Sequence, residues 1–585
     1  MDAIKQPVQP EKSLLPMMKR RGFIWPSFEI YGGSAGFYDY GPLGLLLREN
    51  IRDMWRSIYF REGFFEIDTP CINPEKIFQA SGHIKSFTDL VVECNSCHEN
   101  FRADHLIDAG ESAISAEYVE KLAAEMKLKC PKCGSHDFST PVPFNLMFRT
   151  QIGPKQGKPG YLRPETPQGI FINFQNLKRF YREKLPFGVF QSGRAFRNEI
   201  SPRQGMLRLR EFNLMEAEVF LDPRKKEWGS LNSFRGQEYR FVPREGTEVV
   251  TTLDDALRRK FLLSKAHAYF IGLTFEFALR IGLDPERLRF RQHRKDELAH
   301  YALDCWDLEA LLSSGWTEIT GIADRSDYDL RSHQTVSGSD LTCFRKVGDE
   351  HVEKTLRVRA ERSRLGPVFK NRSESVARAI EALRPDDIPR DGSFEIGLDG
   401  DSITISTDYF RIVEGESIPA GEHFFPHVIE PATGLDRVFY SVLEHSFETD
   451  GKKNALRLNP AIAPIKVAVF PLLNERKMTD VSRKIYQEFV NAGIEAYYDD
   501  AGSIGRRYAR MDEIGTPYCI TVDTFEGSVS TVTVRDRDTK KQIRVGRRNI
   551  VGKVRHLISG RKLEETGTLI GTGIADEAAG GEDYE

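Results

Sequence analysis

Apolar positions along the chain repeat with different periods, and each period predicts a different element. From residue 49 to residue 62 they recur three and four apart, which predicts an amphipathic helix that ends at Gly63. The apolar face of this helix consists of Ile51, Met54, Trp55 and Ile58. The strand pattern that follows contains Pro70, and a proline within a strand favours the edge of a sheet.

Beyond Ile465 the chain alternates between apolar strand patterns and helical patterns. IKVAVFPL predicts a buried strand, a helix ends at Gly493, and a strand, a helix and the strand TPYCITVD follow. This alternation predicts a separate α/β domain with a mainly parallel sheet. We also predict a strand at GWTEITGIA and hairpins at residues 394–407 and 532–545. With 585 residues, three or four domains are expected.

Charge and composition narrow the functional classes. The formal net charge is -3, so the chain has no general attraction for nucleic acid, and any such binding must use local patches. No apolar run reaches the roughly 20 residues of a membrane-spanning helix. The N-terminal sequence is polar and lacks the apolar region of a signal peptide. We therefore expect a cytoplasmic protein without membrane attachment, whose eight cysteines are thiols or metal ligands.

Two CxxC pairs provide the strongest metal signal in the sequence. Cys94 and Cys97 form one pair, and Cys130 and Cys133 form the other. Two-residue spacing allows both thiolates to bind one tetrahedral Zn²⁺, and two pairs complete a closed structural site. The long spacer between the pairs weakens the pattern, and the alternatives are free cysteines or a redox pair. The histidines at 98 and 136 are substitute ligands that a four-cysteine site does not need.

The segment FRNEISPRQGMLRLREF, residues 196–212, predicts a charged β-hairpin with a turn at residues 201–205. In strands, Arg197 and Glu199 would share one face, and Arg208, Arg210 and Phe212 would share another. Guanidinium groups, a carboxylate and an aromatic plane suit a nucleoside triphosphate. The alternative is a solvated hairpin with cross-strand ion pairs.

Two further segments carry candidate binding residues. In RPETPQGIFINF, Glu165 lies between two prolines, where it could receive an ammonium group or could simply begin a helix. In VIEPATGLDRVFYSVLEH, a strand is followed by Gly434 and an amphipathic helix with Arg437 in its first turn. An arginine at the positive end of a helix dipole is explained if both face an anion such as phosphate. The alternative is a surface arginine.

Together these segments resemble the motifs of class II aminoacyl-tRNA synthetases, and their sequences are similar to those of the dimeric-type glycyl-tRNA synthetase family. The residues that carry the resemblance are FRNEISPRQG with LREF, RPETPQGIFINF, GWTEITGIADRSDYDL and VIEPATGLDR. The helix and the Pro70 strand resemble motif 1, the dimer element. The C-terminal α/β domain resembles the anticodon-binding domain of class IIa enzymes. The resemblance extends from about Phe23 to about Leu557.

The resemblance implies a fold class and a domain order. We expect an α+β catalytic domain, an antiparallel sheet with flanking helices, that carries a zinc-ribbon-like insertion and helical and strand insertions. A C-terminal α/β anticodon-binding domain should follow. The expected segments are a flexible N-terminus at 1–13, catalytic core at 14–92, 143–220, 301–345 and 416–460, a zinc-binding insertion at 93–142, further insertions at 221–300 and 346–415, the anticodon-binding domain at 461–566 and a disordered acidic tail at 567–585.

The resemblance also implies a two-step reaction without a protein nucleophile. Glycine and ATP with Mg²⁺ form glycyl-adenylate, and the glycyl group then passes to the terminal adenosine of tRNA(Gly). Catalysis by positioning and charge stabilisation is assigned to Arg197 and Arg437. The implied ATP-binding residues are Arg197, Asn198, Glu199, Leu207, Arg208, Leu209, Arg210, Glu211, Phe212, Glu318, Ile319, Gly434, Leu435, Asp436 and Arg437. Glu318 is the implied Mg²⁺ ligand, and the implied assembly is a homodimer.

The implied glycine-binding residues form a second set. They are Arg102, Glu165, Phe212, Asn213, Leu214, Met215, Glu216, Glu430, Pro431, Ala432, Thr433 and Gly434. Two carboxylates, at 165 and 216, would favour an ammonium and leave little room for a side chain, which matters because one methyl group changes affinity by only about 1–3 kcal/mol. Close relatives have serine at position 432, and we expect Thr433 or water to replace the lost hydroxyl.

Other functions remain to be separated from this one. A class IIa enzyme for threonine, proline or serine is disfavoured by the two pocket glutamates. A synthetase-like binding protein without chemistry would not need an ATP site, and a zinc-ribbon protein explains only one segment. The basic run from Arg535 to Arg548, with Arg506 and Arg507, either follows tRNA phosphates or is a solvated surface.

Overall fold

A computed structural model describes residues 11–107, 116–125, 128–155, 157–202, 205–346, 356–383, 385, 388, 392–398, 401–414, 421–451, 453–523 and 530–572. The chain divides into two compact units, one of residues 1–341 with 426–585 and one of residues 342–425. Within the described residues, no helix is both long and apolar enough to span a membrane.

A nine-stranded sheet forms the centre of the larger unit. Its strands in chain order are β1 (Phe65–Glu66), β2 (Phe187–Phe196), β3 (Glu211–Leu221), β4 (Glu238–Val242), β5 (Val249–Thr252), β6 (Leu288–Gln292), β7 (Asp304–Leu312), β8 (Gly315–Ser326) and β9 (His427–Gly434). Their spatial order is β5-β4-β6-β7-β8-β9-β3-β2-β1. All neighbours are antiparallel except β4 with β6 and β1 with β2. The sheet agrees with the expected catalytic fold, and residues 238–292 extend it by three strands.

Helices cover this sheet and close its core. They are α1 (Glu11–Arg21), α2 (Pro42–Arg61), α3 (Pro167–Phe171), α4 (Lys265–Arg280), α5 (Tyr328–Ser337) and α6 (Leu435–Ser446). Further helices of this unit lie at Glu75–Ala80, His83–Ser86, Ala116–Ala124, Phe174–Phe180 and Leu253–Arg258. Trp55 of α2 packs edge-on against Phe190 of β2, with ring centroids 5.3 Å apart. Nearly every side chain of α4 is buried, because this helix is apolar on all sides.

Smaller sheets complete the part of this unit that precedes residue 461. The paired strands are Ile24–Pro26 with Tyr38–Tyr40, Ile72–Pro74 with Lys158–Leu162 and Arg149–Ile152, Thr88–Glu93 with Asn100–Arg102 and Val142–Asn145, and Phe447–Thr449 with Asn454–Leu456. The three-stranded sheet of residues 88–145 carries both CxxC pairs on its adjoining turns.

Among the described residues, the C-terminal part of the chain contains a six-stranded sheet and three α-helices. Strands β10 (Val467–Pro471), β11 (Ala496–Tyr498) and β12 (Tyr518–Val522) are parallel, and β13 (Thr531–Asp536), β14 (Lys541–Gly546) and β15 (Thr568–Thr572) continue the sheet antiparallel. The helices are α7 (Arg476–Asn491), α8 (Ile504–Glu513) and α9 (Ile550–Ile558). The alternating pattern therefore predicts the parallel half correctly, and the hairpin adds an antiparallel half.

Among the described residues of 342–425, the smaller unit contains three antiparallel strand pairs, the last of which is a hairpin, and two helices. The pairs are Cys343–Lys346 with Gly421–Phe424, Leu356–Ala360 with Phe410–Glu414, and Ser393–Leu398 with Asp401–Ser406, and the helices are Arg362–Phe369 and Ser373–Glu381. The last of these pairs confirms the hairpin predicted at 394–407. Leu365, Val376 and Ile405 are buried in this unit's own core.

Several local predictions differ from the structure. The described residues of the segment 197–210, which are 197–202 and 205–210, form a loop with a short 3₁₀ turn rather than two strands, because β2 ends at Phe196 and β3 begins at Glu211. Helix α2 begins at Pro42, earlier than predicted, because Gly41 caps it and proline is favoured in the first turn. In the expected flexible segment 1–13, residues 1–10 lie outside the described residues and residue 11 begins α1.

The expected disordered tail also differs in its first part. Residues 568–572 form β15, which pairs with β14. The apolar and β-branched sequence TLIGT suits an added edge strand. Residues 573–585 lie outside the described residues.

Candidate active site

The candidate site is built on one face of β7, β8, β9 and β3. Across these strands Asp307 lies opposite Gly321, Gly321 opposite Ala432, and Ala432 opposite Glu216. Alternate residues of a strand point to the same face of a sheet. The centre of the face therefore carries a hydrogen and a methyl group, with an acidic side chain on each side.

A cavity of about 150 Å³ opens above this row. Its lining residues are Arg197, Glu199, Met206, Leu207, Arg208, Leu209, Phe212, Asn213, Leu214, Glu216, Glu318, Ile319, Ala432, Gly434, Asp436 and Arg437. The cavity thus combines residues from the loop 197–210, from β3, from β8 and from the β9–α6 junction. Most of the predicted ATP-binding residues and part of the predicted glycine-binding set meet in it.

Arg197 lies between two aromatic rings at the end of β2. Its guanidinium carbon is 5.3 Å from the ring centroid of Phe212 and 5.3 Å from that of Phe87. Its Nε donates a hydrogen bond to the carbonyl oxygen of Pro164 at 3.3 Å. Stacking on aromatic rings fixes the plane of a guanidinium group and leaves its edge available for an anion.

Arg437 joins three segments at the other side of the cavity. Its Nη1 donates to the carbonyl oxygen of Glu318 at 3.0 Å and to the Oε2 atom of Glu318 at 2.9 Å. Its Nε donates to the carbonyl oxygen of Leu207 at 3.2 Å. Arg437 lies in the first turn of α6, as the sequence predicts, and this arginine therefore links β8 and the loop 197–210 to α6.

The loop 197–210 places its charged residues in two different directions. Arg208 and Glu199 line the cavity, with Nε of the arginine 3.6 Å from Oε2 of the glutamate. Arg210 turns away and donates to the carbonyl oxygens of Glu199 and Ala35. Because the segment is a loop, Arg208 and Arg210 do not share the face that a strand would give them. Arg210 anchors the loop.

Some residues of the two predicted sets lie outside the cavity. Met215, Thr433 and Leu435 are buried in the sheet's other side or in the core. Thr433 Oγ1 is 3.1 Å from Thr320 Oγ1, on the face opposite Ala432. The expectation that Thr433 replaces a hydroxyl at position 432 is therefore wrong, because adjacent strand residues point to opposite faces.

The other outlying residues have different surroundings. Asn198 donates its backbone N–H to the carbonyl oxygen of Leu146, and Glu211 forms a surface ion pair with Arg194. Arg102 forms ion pairs with Asp89 and Asp104. Pro431 faces the core side of β9, between Glu430 and Ala432.

An acidic pocket lies beside the small central residues. Glu165, Glu216 and Glu430 are at most 8% exposed. Glu216 accepts hydrogen bonds from the backbone N–H and the hydroxyl of Thr166. Glu430 accepts from Arg325 Nη1, with both oxygens 3.0 Å away. These three carboxyl groups, all predicted from the sequence, lie close enough for the charges of Glu165 and Glu216 to act on Glu430, and Glu216 also lines the cavity.

Burial and neighbouring charges shift the pKa values in this pocket in opposite directions. Burial favours the neutral form of Glu165, but His83 and Arg325 reverse this and lower its pKa below the ordinary value. Burial, with the nearby charge of Glu165, raises the pKa of Glu216. Burial raises the pKa of Glu430 to about 8 despite its contact with Arg325.

Sequence reasoning missed the residue that organises this pocket. Arg325 on β8 is 1% exposed and donates to both oxygens of Asp329 in α5, at 2.8 and 3.0 Å, as well as to Glu430. The ring of Tyr301 stacks on the Arg325 guanidinium at 3.7 Å. A signal was present in DRSDYDL, where an arginine ends an apolar strand and an aspartate follows four residues later.

Sequence reasoning also missed Tyr40, which contacts a predicted residue at the edge of the cavity. Asp436 accepts hydrogen bonds from the backbone N–H of Asn213 at 2.5 Å, from the amide of Asn213 at 3.0 Å and from the hydroxyl of Tyr40. Burial raises the pKa of Asp436 although Asn213 donates to it. Asp436, one of the predicted ATP-binding residues, lines the cavity, and these contacts connect α6 to β3.

The four cysteines of the CxxC pairs converge as a metal site requires. Cys94 Sγ is 3.6 Å from Cys133 Sγ, and Cys97 Sγ is 3.7 Å from Cys130 Sγ. Tetrahedral zinc with Zn–S bonds of about 2.3 Å gives S···S distances of about 3.8 Å. Burial opposes ionisation of Cys130, but backbone N–H groups of Cys133 and Lys132 lower its pKa to about 6. The donor set therefore fits Zn²⁺.

Comparison with known proteins agrees with this geometry. Residues 152–446 match the model of the tRNA synthetase class II core domain (G, H, P, S and T), and residues 466–557 match the anticodon binding domain. The chain is 48% identical to the glycine–tRNA ligase of Methanothrix thermoacetophila over 93% of its own length and 96% of the relative. The chain belongs to the class II glycine–tRNA ligase family.

Other members of the glycine–tRNA ligase family match over similar lengths. The ligase of Archaeoglobus fulgidus is 47% identical over 91% of this chain and 94% of the relative. The ligase of Thermococcus sibiricus is 42% identical over 94% of this chain and 99% of the relative. The expected family, the class II catalytic core and the C-terminal anticodon-binding domain are confirmed.

In the anticodon-binding domain, most basic residues of the segment 535–548 form ion pairs or hydrogen bonds with other residues of this chain. Arg535 is buried and paired with Asp512, and Arg537 donates to the carbonyl oxygens of Gly515 and Leu458. Arg507 is also buried and donates to several carbonyl oxygens, including that of Pro471. These three arginines stabilise the domain and do not form a surface track for phosphates.

Proposed function

We propose that this chain activates glycine with ATP and transfers the glycyl group to the terminal adenosine of tRNA(Gly). The observation that carries the proposal is the separation of positive and negative side chains within the site. Arg197, Arg208 and Arg437 line the cavity together with Glu216, and the Glu430 carboxyl group lies on the same face of the sheet, two residues before Ala432. The arginines suit the phosphates of a nucleotide, and the carboxyl groups suit an ammonium group.

In the first step the glycine carboxylate attacks the α-phosphorus, and negative charge increases on the phosphoryl oxygens. Arg197, held between Phe87 and Phe212, would stabilise that charge and orient the attacking carboxylate. Phe212 would stack on adenine, and Arg437 and Arg208 would hold the outer phosphates. Glu318 would hold Mg²⁺, with Arg437 fixing its carboxylate at 2.9 Å.

Selectivity for glycine would arise from the centre of the sheet. The hydrogen of Gly321 and the methyl groups of Ala323 and Ala432 form the floor, and acidic groups form the walls. A substrate side chain would displace the ammonium from these walls. Because one methyl group is worth only about 1–3 kcal/mol in an open apolar pocket, rejection must combine this steric limit with lost charge pairing.

The remaining assignments extend the same proposal. The catalytic core would comprise 14–92, 143–220, 301–345 and 416–460, with insertions at 93–142, 221–300 and 346–415, and residues 461–566 would bind the anticodon region of tRNA. Cys94, Cys97, Cys130 and Cys133 would hold a structural Zn²⁺ that stabilises the 93–142 insertion. Motif 1 would form a homodimer in the cytoplasm.

ATP–pyrophosphate exchange without tRNA tests the activation step. Wild-type protein should exchange with glycine and not with alanine, serine, threonine or proline. Arg197→Met should lower the exchange rate by about 100-fold or more, as expected for loss of a charge-stabilising donor. Arg194→Met, which removes an exposed arginine paired with Glu211, is the matched control and should retain activity. Exchange with another amino acid, or none with folded protein, would overturn the proposal.

A further inference from the structure

The innermost part of the acidic pocket contains a carboxyl group that no role above explains. Glu218 follows Glu216 by two residues on β3, so both point to the same face. Its side chain is fully buried, and neither carboxyl oxygen has a hydrogen-bond partner among the described residues. A buried carboxylate without a donor is strongly disfavoured, so Glu218 must be neutral.

The groups around Glu218 and Glu430 contain more acids than bases. The acidic groups are Glu216 and Glu218 on β3, Glu430 on β9, Glu165 before α3 and Asp329 on α5, with the weaker acids Tyr301 and Cys305 beside them. The basic groups are Arg325 on β8, His83, which faces Glu165 at 3.5 Å, Arg197, whose charge acts on Glu216, and His333 on α5 beside Asp329. The empty pocket therefore cannot hold all five carboxylates ionised, and protons must neutralise some of them.

Hydrogen bonding decides which carboxyl groups are ionised. Asp329 takes two donors from Arg325, and Glu165 is near His83 and accepts from Gln168 at 2.8 Å. Glu218 takes none, and Glu430 depends on a single nitrogen that serves both of its oxygens. Burial raises the pKa of Glu430 to about 8, close to neutrality, and burial with the nearby charge of Glu430 raises that of Glu218 well above its ordinary value.

We propose that Glu430 releases a proton when the ammonium group of glycine enters this pocket, while Glu218 remains a neutral acid. This inference rests on the proposed function. The only bond that breaks is the O–H bond of the Glu430 carboxylic acid. Its electron pair stays on the carboxylate, and the proton passes to solvent.

The size of the electrostatic effect is sufficient for this exchange. Two unit charges about 4 Å apart in a partly buried site interact strongly enough to change a proton-binding constant about a thousandfold. A carboxyl group that titrates near neutrality would therefore be almost fully ionised in the complex. The empty pocket would stay close to neutral, so it would not attract inorganic cations in place of glycine.

Isothermal titration calorimetry with glycine alone tests the proposal on the full chain at neutral pH. The binding heat is measured in two buffers with different ionisation enthalpies, and the difference gives the number of protons released. We expect about one proton for the wild-type protein and about none for Glu430→Gln. Glu218→Gln exchanges a neutral acid for a neutral amide and should keep the release. Glu444→Gln, a buried carboxyl paired with Ser313 outside the pocket, is the matched control and should also keep it.

The outcomes separate this inference from the proposed function. Absence of any glycine binding by folded protein would contradict the function itself. Binding heats independent of the buffer, release retained in Glu430→Gln, or release lost in Glu218→Gln would overturn the inference. If Glu430→Gln does not fold, infrared difference spectra of the wild-type protein with isotope-labelled glycine decide. Loss of a protonated-carboxyl band on binding supports the proposal, and no change overturns it.

Discussion

Replacing Arg325 by lysine tests whether one buried guanidinium group organises the acidic pocket. Arg325 donates two hydrogen bonds to Asp329 at 2.8 and 3.0 Å, and its Nη1 lies 3.0 Å from both oxygens of Glu430. A lysine ammonium is a compact charge that cannot span both carboxyl groups. Arg325→Lys would therefore leave one buried carboxyl without its donor.

The magnitude follows from the burial of this group. Leaving a buried acceptor without its donor costs about 1–3 kcal/mol, because that group stays desolvated and unpaired. We expect Arg325→Lys to lower the thermal unfolding midpoint by several degrees. We also expect it to raise the glycine KM at least tenfold with a smaller effect on the ATP KM, since Glu430 would lose its fixed orientation.

A second arginine on the neighbouring helix provides the control. Arg331 pairs with Asp327 four residues earlier, as Asp329 pairs with Arg325, but Arg331 is exposed. Exposed pairs contribute about 0–1 kcal/mol, so Arg331→Lys should change neither the midpoint nor the glycine KM appreciably. If Arg325→Lys behaves like Arg331→Lys in both thermal unfolding and pyrophosphate exchange, the reasoning about the buried network is refuted.

Three further predictions follow from other parts of the structure. Metal analysis should find about one Zn²⁺ per chain, lost in Cys130→Ser and retained in Cys71→Ser, and equal zinc in both variants would contradict the four-cysteine site. Ala432→Ser places a hydroxyl opposite Glu216 and should keep or lower the glycine KM, so a large rise would show that no donor fits there. Glu430 has a raised pKa, so the folded state holds a proton that the unfolded chain has lost, and the thermal midpoint should fall as pH rises from about 6 to about 8. Glu430→Gln should reduce that dependence, the remainder coming from other buried acids such as Glu218, and an unchanged slope would assign all of it to those groups.

Much of the fold follows from apolar periodicity in the sequence. The helix around Trp55, the strand that ends at residue 326 and the alternating elements after Ile465 were predicted because each buries a regular stripe of side chains. The loop 197–210 was not, because its alternating charges imitate a strand. In the structure, Arg210 instead donates to the backbone carbonyl oxygens of Ala35 and Glu199, and no local sequence pattern records such contacts.

The residues of the candidate site also fall into those that the sequence predicted and those that it missed. Residues that we propose to meet substrate directly, such as Arg197 and Glu216, occur in long and specific motifs. Arg325, His83 and Tyr40 act on other side chains, and their partners include residues far away in the sequence, such as Glu430, Glu165 and Asp436. Buried arginines of the C-terminal domain were mistaken for surface charges because sequence alone does not report which guanidinium groups are enclosed.

The three small residues at the centre of the sheet have a consequence for how substrate choice can change. In the proposed site, Gly321 discriminates by the side chain that it lacks, so no truncation at this position can widen the pocket. Ala323→Gly and Ala432→Gly each remove one methyl group, whereas any substitution at position 321 adds atoms and reduces the space for glycine. Point mutation can therefore relax this floor by two methyl groups at most, and beyond them the main chain itself sets the limit.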